Sequence, residues 1–191
     1  MSIRNLVLIG PRAAGKSKTA RRVHKYLGFQ HLSTDVLICY EEGMSISDIV
    51  KKKGWAYFRD VEYRVLEKVS LLNGYVVDCG GGIVVDLDEQ QKEIRSDRKM
   101  VLLKNLGYVV QLNADFDYIY DKVNNDKTRP PLADREGFKK LMHQRQQYFS
   151  ELTDVVLNTT RKRGRQISKE LLPFLEDAGF RLLRKPGEEA Q

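Results

Sequence analysis

The eight residues Gly10-Pro11-Arg12-Ala13-Ala14-Gly15-Lys16-Ser17 fit the pattern GxxxxGK[ST], the spacing of a loop that wraps phosphate. The pattern sits where the chemistry needs it: Asn5–Ile9 ahead of it reads as a strand and Lys16–Leu27 behind it as a helix. Small residues at the bends let backbone N–H groups of Ala13, Ala14, Gly15 and Lys18 turn towards phosphate oxygens, and the helix adds the positive end of its dipole. Lys16 then supplies a point charge for the β and γ phosphates, and Ser17 a hydroxyl ligand for Mg²⁺. A second strand, Tyr75-Val76-Val77-Asp78, ends in a carboxylate. Asp78 there is either a magnesium-side acid or an ordinary turn aspartate. Together these residues spell ATP and Mg²⁺ chemistry, and in 191 residues they point to a small kinase rather than a motor.

Other residues stand out by being charged where the pattern is apolar. In the helical stretch around Tyr57–Leu72, Phe58, Val61, Val65, Val69 and Leu72 form one stripe, and Arg59 lies on its shoulder. Glu62, three residues on, can steady that guanidinium; the pair is either a weak surface bridge or a fork held ready for a carboxylate. Arg145 shares a helix face with Phe138, Leu141, Met142 and Phe149, so it either snorkels to water or binds an anion in a cleft. Gly80-Gly81-Gly82 follows a strand and would let a ligand approach bare backbone. Asp35, after the run Gln30–Ser33, is a helix N-cap or a group able to orient and deprotonate a hydroxyl.

The elements that must hold these residues alternate strand and helix. Further strands are expected at Tyr108–Leu112 and Asp154–Asn158, and helices at Asp115–Val123, Glu136–Ser150 and Gln166–Ala178. The alternation predicts a three-layer α/β domain, a parallel sheet covered by helices on both faces. One domain is expected over residues 1–180, with a tail at 181–191. The polar stretch 124–135, with Pro130-Pro131, reads as a loop, and the basic runs 161–165 and 51–53 as solvated surface.

Apolar residues are 41% and charged residues 31% of the chain, ordinary for a folded, water-soluble domain. The longest apolar runs, such as Leu6–Ile9, are far short of the ~18–20 residues that cross a bilayer. That run meets Gly10-Pro11-Arg12 at once, so no signal peptide is expected and the location expected is cytoplasmic. Cys39 and Cys79 have neither disulfide-framework nor zinc-site spacing. Lysine and arginine outnumber aspartate and glutamate 33 to 26, a net charge of +7 that favours an anionic substrate. No aromatics are interleaved with the basic runs, so nucleic acid is not expected as a partner.

These residues together resemble the shikimate kinase family, which passes the γ-phosphoryl group of ATP to the 3-hydroxyl of shikimate. The likeness runs from Leu6 to Asn158 and includes Asp35, Gly43-Met44-Ser45-Ile46, Phe58-Arg59 with Glu62, Gly80-Gly81-Gly82, Arg129-Pro130, and Arg145 with Phe149 and Asp154. The resemblance implies a P-loop kinase fold with a five-stranded parallel sheet in the order 2-3-1-4-5, a substrate segment at about 35–62 and a lid at about 124–136. It assigns catalysis to Lys16, Asp35 and Arg129, and the shikimate carboxylate to Arg59 and Arg145. Asp35, Gly80, Gly81 and Gly82 line the shikimate pocket. Ala13 to Lys18 and Arg129 hold ATP, Lys122 and Thr159 border the adenine, and the enzyme is a monomer.

Four departures qualify the likeness. Many members carry Asp-x-Asp where this chain has Ser33-Thr34-Asp35. Asp78 stands where many have serine or threonine, so the carboxylate is expected to have moved from one strand end to the other, leaving Ser17 and Asp78 for magnesium. Extra residues within Asp86–Asn105 are expected to add surface helix, and Pro131 to stiffen the lid. The rivals are a kinase for another hydroxy acid such as gluconate, and a catalytically silent binding module.

Overall fold

Leu6, Val7, Leu8 and Ile9 form β1 (Leu6–Ile9), and all four are fully buried, because this strand is covered on both faces. Val7 and Ile9 point into one core with Val61, Val65, Val69 and Phe149, whereas Leu6 and Leu8 point into another with Val23, Leu171 and Leu175. The computed structural model describes residues 5–126 and 133–184. Among them the strands follow as β1, β2 (Gln30–Ser33), β3 (Tyr75–Asp78), β4 (Val85–Leu87), β5 (Glu93–Arg95), β6 (Tyr108–Asn113) and β7 (Val155–Asn158). The helices are α1 (Lys16–Leu27), α2 (Thr34–Glu42), α3 (Ile46–Ser70), α4 (Asp97–Leu106), α5 (Phe116–Asn124), α6 (Arg135–Ser150) and α7 (Gly164–Asp177).

The main sheet runs β2-β3-β1-β6-β7 with every pairing parallel. Numbered within that sheet alone, the order is the expected 2-3-1-4-5. Helices α1 and α7 cover one face, while α3 and α4 cover the other. β1 has β3 on one side and β6 on the other, so the chain reverses its direction of winding there. The crevice beyond the carboxyl ends of β1 and β3 is where ligands enter folds of this kind.

The residues between Gly82 and α4 are not helical, while the later part of Asp86–Asn105, the stretch expected to add surface helix, is α4 itself. The residues before α4 make an antiparallel hairpin, β4 against β5, with Val85 opposite Arg95, Asp86 opposite Ile94 and Leu87 opposite Glu93. Asp88 closes its turn, its Oδ1 accepting from the backbone of Gln90 and Lys92, both at 2.9 Å. Helix begins only at α4, capped by Ser96. The expected lid residues Arg129, Pro130 and Pro131 lie outside the described residues, as does the tail from 185 onward. At the described end, the Leu183 N–H donates to the Tyr26 carbonyl at 2.7 Å, so residues 181–184 lie against α1. None of the helices described is long and apolar enough to cross a membrane.

Candidate active site

The phosphate loop leaves β1 through a Gly10 in a left-handed conformation, with φ +132°, and no side chain fits there because Leu112 of β6 lies against it. Ala13 and Gly15 also have positive φ, 62° and 95°, so the backbone between them bends as an anion nest does. Gly15 opens α1 with no side-chain cap, and the first turn has no acidic residue. An uncapped, dipole-positive helix end facing a bent loop fits a bound phosphate. Lys16 is buried and lies across the loop, its Nζ donating to Gly10 O at 2.9 Å and to Pro11 O at 2.8 Å. Thr159, just past β7, ties the far side of the sheet to this loop by donating to Ala14 O at 2.9 Å.

A wide groove opens beside the loop, lined by Ala13, Ala14, Gly15, Lys18, Tyr118 and Thr159. Lys122 borders it with its ammonium 3.9 Å from the Tyr118 ring centroid. Arg21, Arg22, Arg163 and Arg165 line the same groove. The basic run 161–165, expected to be plain solvated surface, therefore faces the crevice in part.

A second cavity lies at the carboxyl ends of β2 and β3. It is lined by Asp35, Arg59, Glu62, Gly80, Gly81, Gly82 and Arg145, together with Arg12, Ile46, Trp55 and Phe58. Every residue expected at the acceptor is in this one place. Asp35 sits in the first turn of α2, whose N-cap is Ser33, so its N-cap reading is excluded. The glycine turn is held to α2 by the Gly80 N–H, which donates to Thr34 Oγ1 at 3.0 Å. A methyl group on Gly80 would lie 2.7 Å from Asp35 Oδ1 and 3.0 Å from Glu62 Oε1, and one on Gly82 would run into the Arg59 guanidinium. Bare backbone is what lets these side chains converge.

Arg59 and Arg145 are only 4% and 5% exposed, so neither is a surface charge. Arg59 donates to Glu62 Oε2 at 3.0 Å, and its Nε is buried with no partner, as is Glu62 Oε1. Two orphaned polar atoms in one cavity wall mark a place where a polar ligand fits. Lys99 of α4, fully buried, donates to Glu62 Oε2 at 2.9 Å and to Val85 O at 2.5 Å. Burial pushes the Glu62 carboxyl up, but the charges and bonds of Lys99 and Arg59 outweigh it and hold it below its ordinary range. Arg145 donates to Gly81 O at 3.2 Å and, through Nε at 2.8 Å and Nη2, to both oxygens of Glu93 on β5.

Residues 12–176 match the Shikimate kinase family. The chain belongs to the shikimate kinase family. It is 37% identical over 172 residues to the shikimate kinase of Leptospira biflexa, covering 90% of this chain and 95% of that one. Identity with the shikimate kinase of Leptospira borgpetersenii is 35% over 176 residues, 91% and 98% of the two chains. Among solved structures, the shikimate kinase of Acinetobacter baumannii in complex with shikimate superposes with a TM-score of 0.83 over 94% of this chain and 97% of that one, at 23% identity. That of Aquifex aeolicus gives 0.72 at 26% identity, covering 91% and 97%.

Within this family frame, three cavity residues were not legible as such. Arg12, a variable position of the phosphate-loop pattern, is 9% exposed and pairs with Asp126 at 3.4 Å. Trp55, the only tryptophan of the chain, packs its ring 5.5 Å from the Arg59 guanidinium; a lone tryptophan directly after Gly54 was the available signal. Glu93, at the end of the β4–β5 hairpin, reaches the cavity's two arginines from the neighbouring groove. Asp78, paired in register with Ser33 and Leu8, is buried at the end of β3. Among the described residues no cluster of three or more acidic, histidine or cysteine side chains could hold a metal alone. A hydroxyl and one carboxylate beside a phosphate loop nonetheless suit Mg²⁺, which takes few protein ligands and completes its shell with phosphate oxygens and water.

Proposed function

We propose that this protein transfers the γ-phosphoryl group of ATP to the 3-hydroxyl of shikimate, giving shikimate 3-phosphate and ADP. The observation that carries the reading is the single cavity in which Asp35, Arg59, Arg145 and the glycine turn meet, with the phosphate-loop residue Arg12 in its wall. The backbone at Arg12 touches the glycine turn, since a methyl on Gly81 would lie 2.8 Å from Arg12 N. Donor and acceptor sites therefore share a wall, as in-line transfer requires.

In this reading Arg59 and Arg145 grip the substrate carboxylate, and Gly80, Gly81 and Gly82 admit its ring against bare backbone. Asp35 orients the 3-hydroxyl and receives its proton as that oxygen bonds to the γ-phosphorus and the bond to the β,γ-bridging oxygen breaks. The loop from Ala13 to Lys18 holds the phosphates, and Lys16 neutralises charge on the transferred group. Ser17 and Asp78 would hold Mg²⁺, which when bound neutralises the phosphate oxygens of ATP. Arg129, outside the described residues, is assigned by the resemblance to the nucleotide phosphates. The reading takes the protein to act as a monomer in the cytoplasm, with a small-molecule substrate and without nucleic acid or membrane as partner.

Coupled ADP release measured with and without shikimate tests the reading, with gluconate and other hydroxy acids as alternatives and Asp35→Ala as control. Shikimate-dependent turnover that the substitution abolishes is the expected result. Turnover with gluconate and not with shikimate, or none with any acceptor, refutes it.

A further inference from the structure

The hairpin β4–β5 places a carboxylate where the acceptor's own carboxylate belongs. Glu93 accepts from Arg145 Nε at 2.8 Å and from Arg145 Nη2, and its Oε1 lies 3.4 Å from Arg59 Nη2. This is the two-pronged pairing by which guanidinium groups recognise carboxylates. We propose that Glu93 is an internal carboxylate that occupies the acceptor-carboxylate position of the free protein and must leave for the acceptor to bind, so that it sets affinity and selectivity for acidic acceptors. The proposal rests on the functional reading above.

Donor capacity gives the first argument. Arg145 commits Nε and Nη2 to Glu93 and Nη1 to Gly81 O, while Arg59 commits Nη1 to Glu62 and Nη2 to Glu93. Of the six guanidinium nitrogens only Arg59 Nε has no partner among the described residues, and the paired Nε and Nη2 edge of Arg145, the edge that would take a carboxylate two-pronged, is already filled by Glu93. A second carboxylate could join only by adding negative charge beside Glu62 and Glu93, so the two compete. Space gives the second argument. The acceptor cavity leaves about 40 Å³ for the centres of water molecules, room for a few waters. An outer groove lined by Leu87, Gln91, Lys92, Glu93, Leu141 and Gln144 shares Trp55 and Arg59 with it. Glu93 stands at that partition, and its withdrawal joins the two spaces.

The element that carries Glu93 is built to let go at one end. Its base is clamped: Asp86 accepts from Ser96 at 2.7 Å and from Arg98 Nε at 2.8 Å, and lies 3.1 Å from Lys99 Nζ. The whole ribbon has three paired positions, of which Leu87 with Glu93 is the last before an exposed turn, and a two-stranded ribbon is marginal on its own. Beyond its carboxylate, Glu93 is tethered to α6 by Gln144 Nε2, which donates to Glu93 O at 2.8 Å. An acceptor with a carboxylate replaces the pairing it breaks. A neutral analogue does not, and so cannot open the site at comparable cost.

If the open form is populated at about one part in ten, removing the competitor tightens binding about tenfold. The test is a titration of Trp55 fluorescence with shikimate, together with steady-state kinetics, for the wild type, Glu93→Gln, Glu93→Asp and Glu89→Gln. Glu93→Gln should bind shikimate about tenfold tighter, with KM falling by the same factor and kcat changing less than about twofold. Glu93→Asp, with a shorter reach, should shift the same way by less, and Glu89→Gln in the exposed turn should shift nothing. Amides of residues 88–92 should exchange faster when shikimate is added to the wild type. An unchanged or raised Kd for Glu93→Gln, with turn exchange indifferent to shikimate, overturns the proposal and makes Glu93 a fixed brace for Arg145. Should the wild type not phosphorylate shikimate, it is the functional reading that fails; displacement is then decided by whether benzoate, a bare carboxylate, binds tighter to Glu93→Gln.

Discussion

Arg145 could be replaced by lysine without loss only if its role were a point charge. Its three nitrogens serve partners in different directions, which an ammonium on a flexible stem cannot reproduce. Arg145→Lys should raise KM for shikimate about 10- to 100-fold, the worth of a charge-assisted hydrogen bond, with a smaller effect on kcat. Asp35→Asn should do the reverse, lowering kcat about 10²- to 10⁴-fold with KM less affected, as loss of a general base does. Initial rates at varied shikimate separate the two. Asp78→Asn should raise the Mg²⁺ concentration for half-maximal rate, and a magnesium titration indistinguishable from wild type would end the idea that this acid replaces the one absent at Ser33. Both arginines were legible in the sequence because a charge within an apolar stripe, as at Arg145, or on its shoulder, as at Arg59, demands a partner. That Arg145 has an internal partner was not legible, since Glu93 comes from a segment 52 positions away with no periodicity to place it.

Among the elements, those with a buried face announced themselves and those stabilised by polar contacts did not. β1, β3 and β6 are β-branched or leucine-rich and buried, so hydrophobic pattern located them; β4 and β5 are three residues each and carry Asp86, Glu93 and Arg95, too short for alternation to show. The long α3 contains a break at Gly54, with φ 82° and ψ 169°, immediately before Trp55 and the turn that bears Arg59. The hairpin and α3 are joined through Lys99, which pairs with Glu62 and Asp86 at 2.9 and 3.1 Å in complete burial. Lys99→Met leaves Glu62, itself 1% exposed, short of one of its two cations and should cost about 3–5 kcal/mol in urea denaturation. Adding Glu62→Gln to Lys99→Met should recover part of that loss, because the stranded charge is removed with its partner. A double variant no more stable than Lys99→Met alone would show that Lys99 acts through packing instead.

At the scale of the whole molecule, the ion pairs that shape the acceptor cavity also determine how the fold answers acid. The Glu93 carboxyl is pushed up by burial but held below its ordinary range by Arg145 and Arg59, and Glu62 and Asp86 are likewise lowered by their cationic neighbours. A carboxylate depressed in the folded state contributes stability that is present above its unfolded pKa of about 4.3 and is lost as pH falls through the folded value. His31 acts at higher pH. Burial lowers its pKa, against the opposing pull of Asp78, and its Nε2 is buried without a partner. The unfolded chain therefore binds that proton first, and stability should begin to decline as pH drops below about 6.5. With a net charge of +7 before any carboxylate is neutralised, self-repulsion steepens the acid limb. The thermal midpoint followed by circular dichroism should be level near pH 7, fall gently from about pH 6.5 to 5, and fall steeply below about pH 4. His31→Asn should flatten the first slope and leave the second, while Glu62→Gln should blunt the second and leave the first. A wild-type midpoint that stays level down to pH 3 would mean that these buried pairs are no stronger in the folded chain than their separated groups are in water.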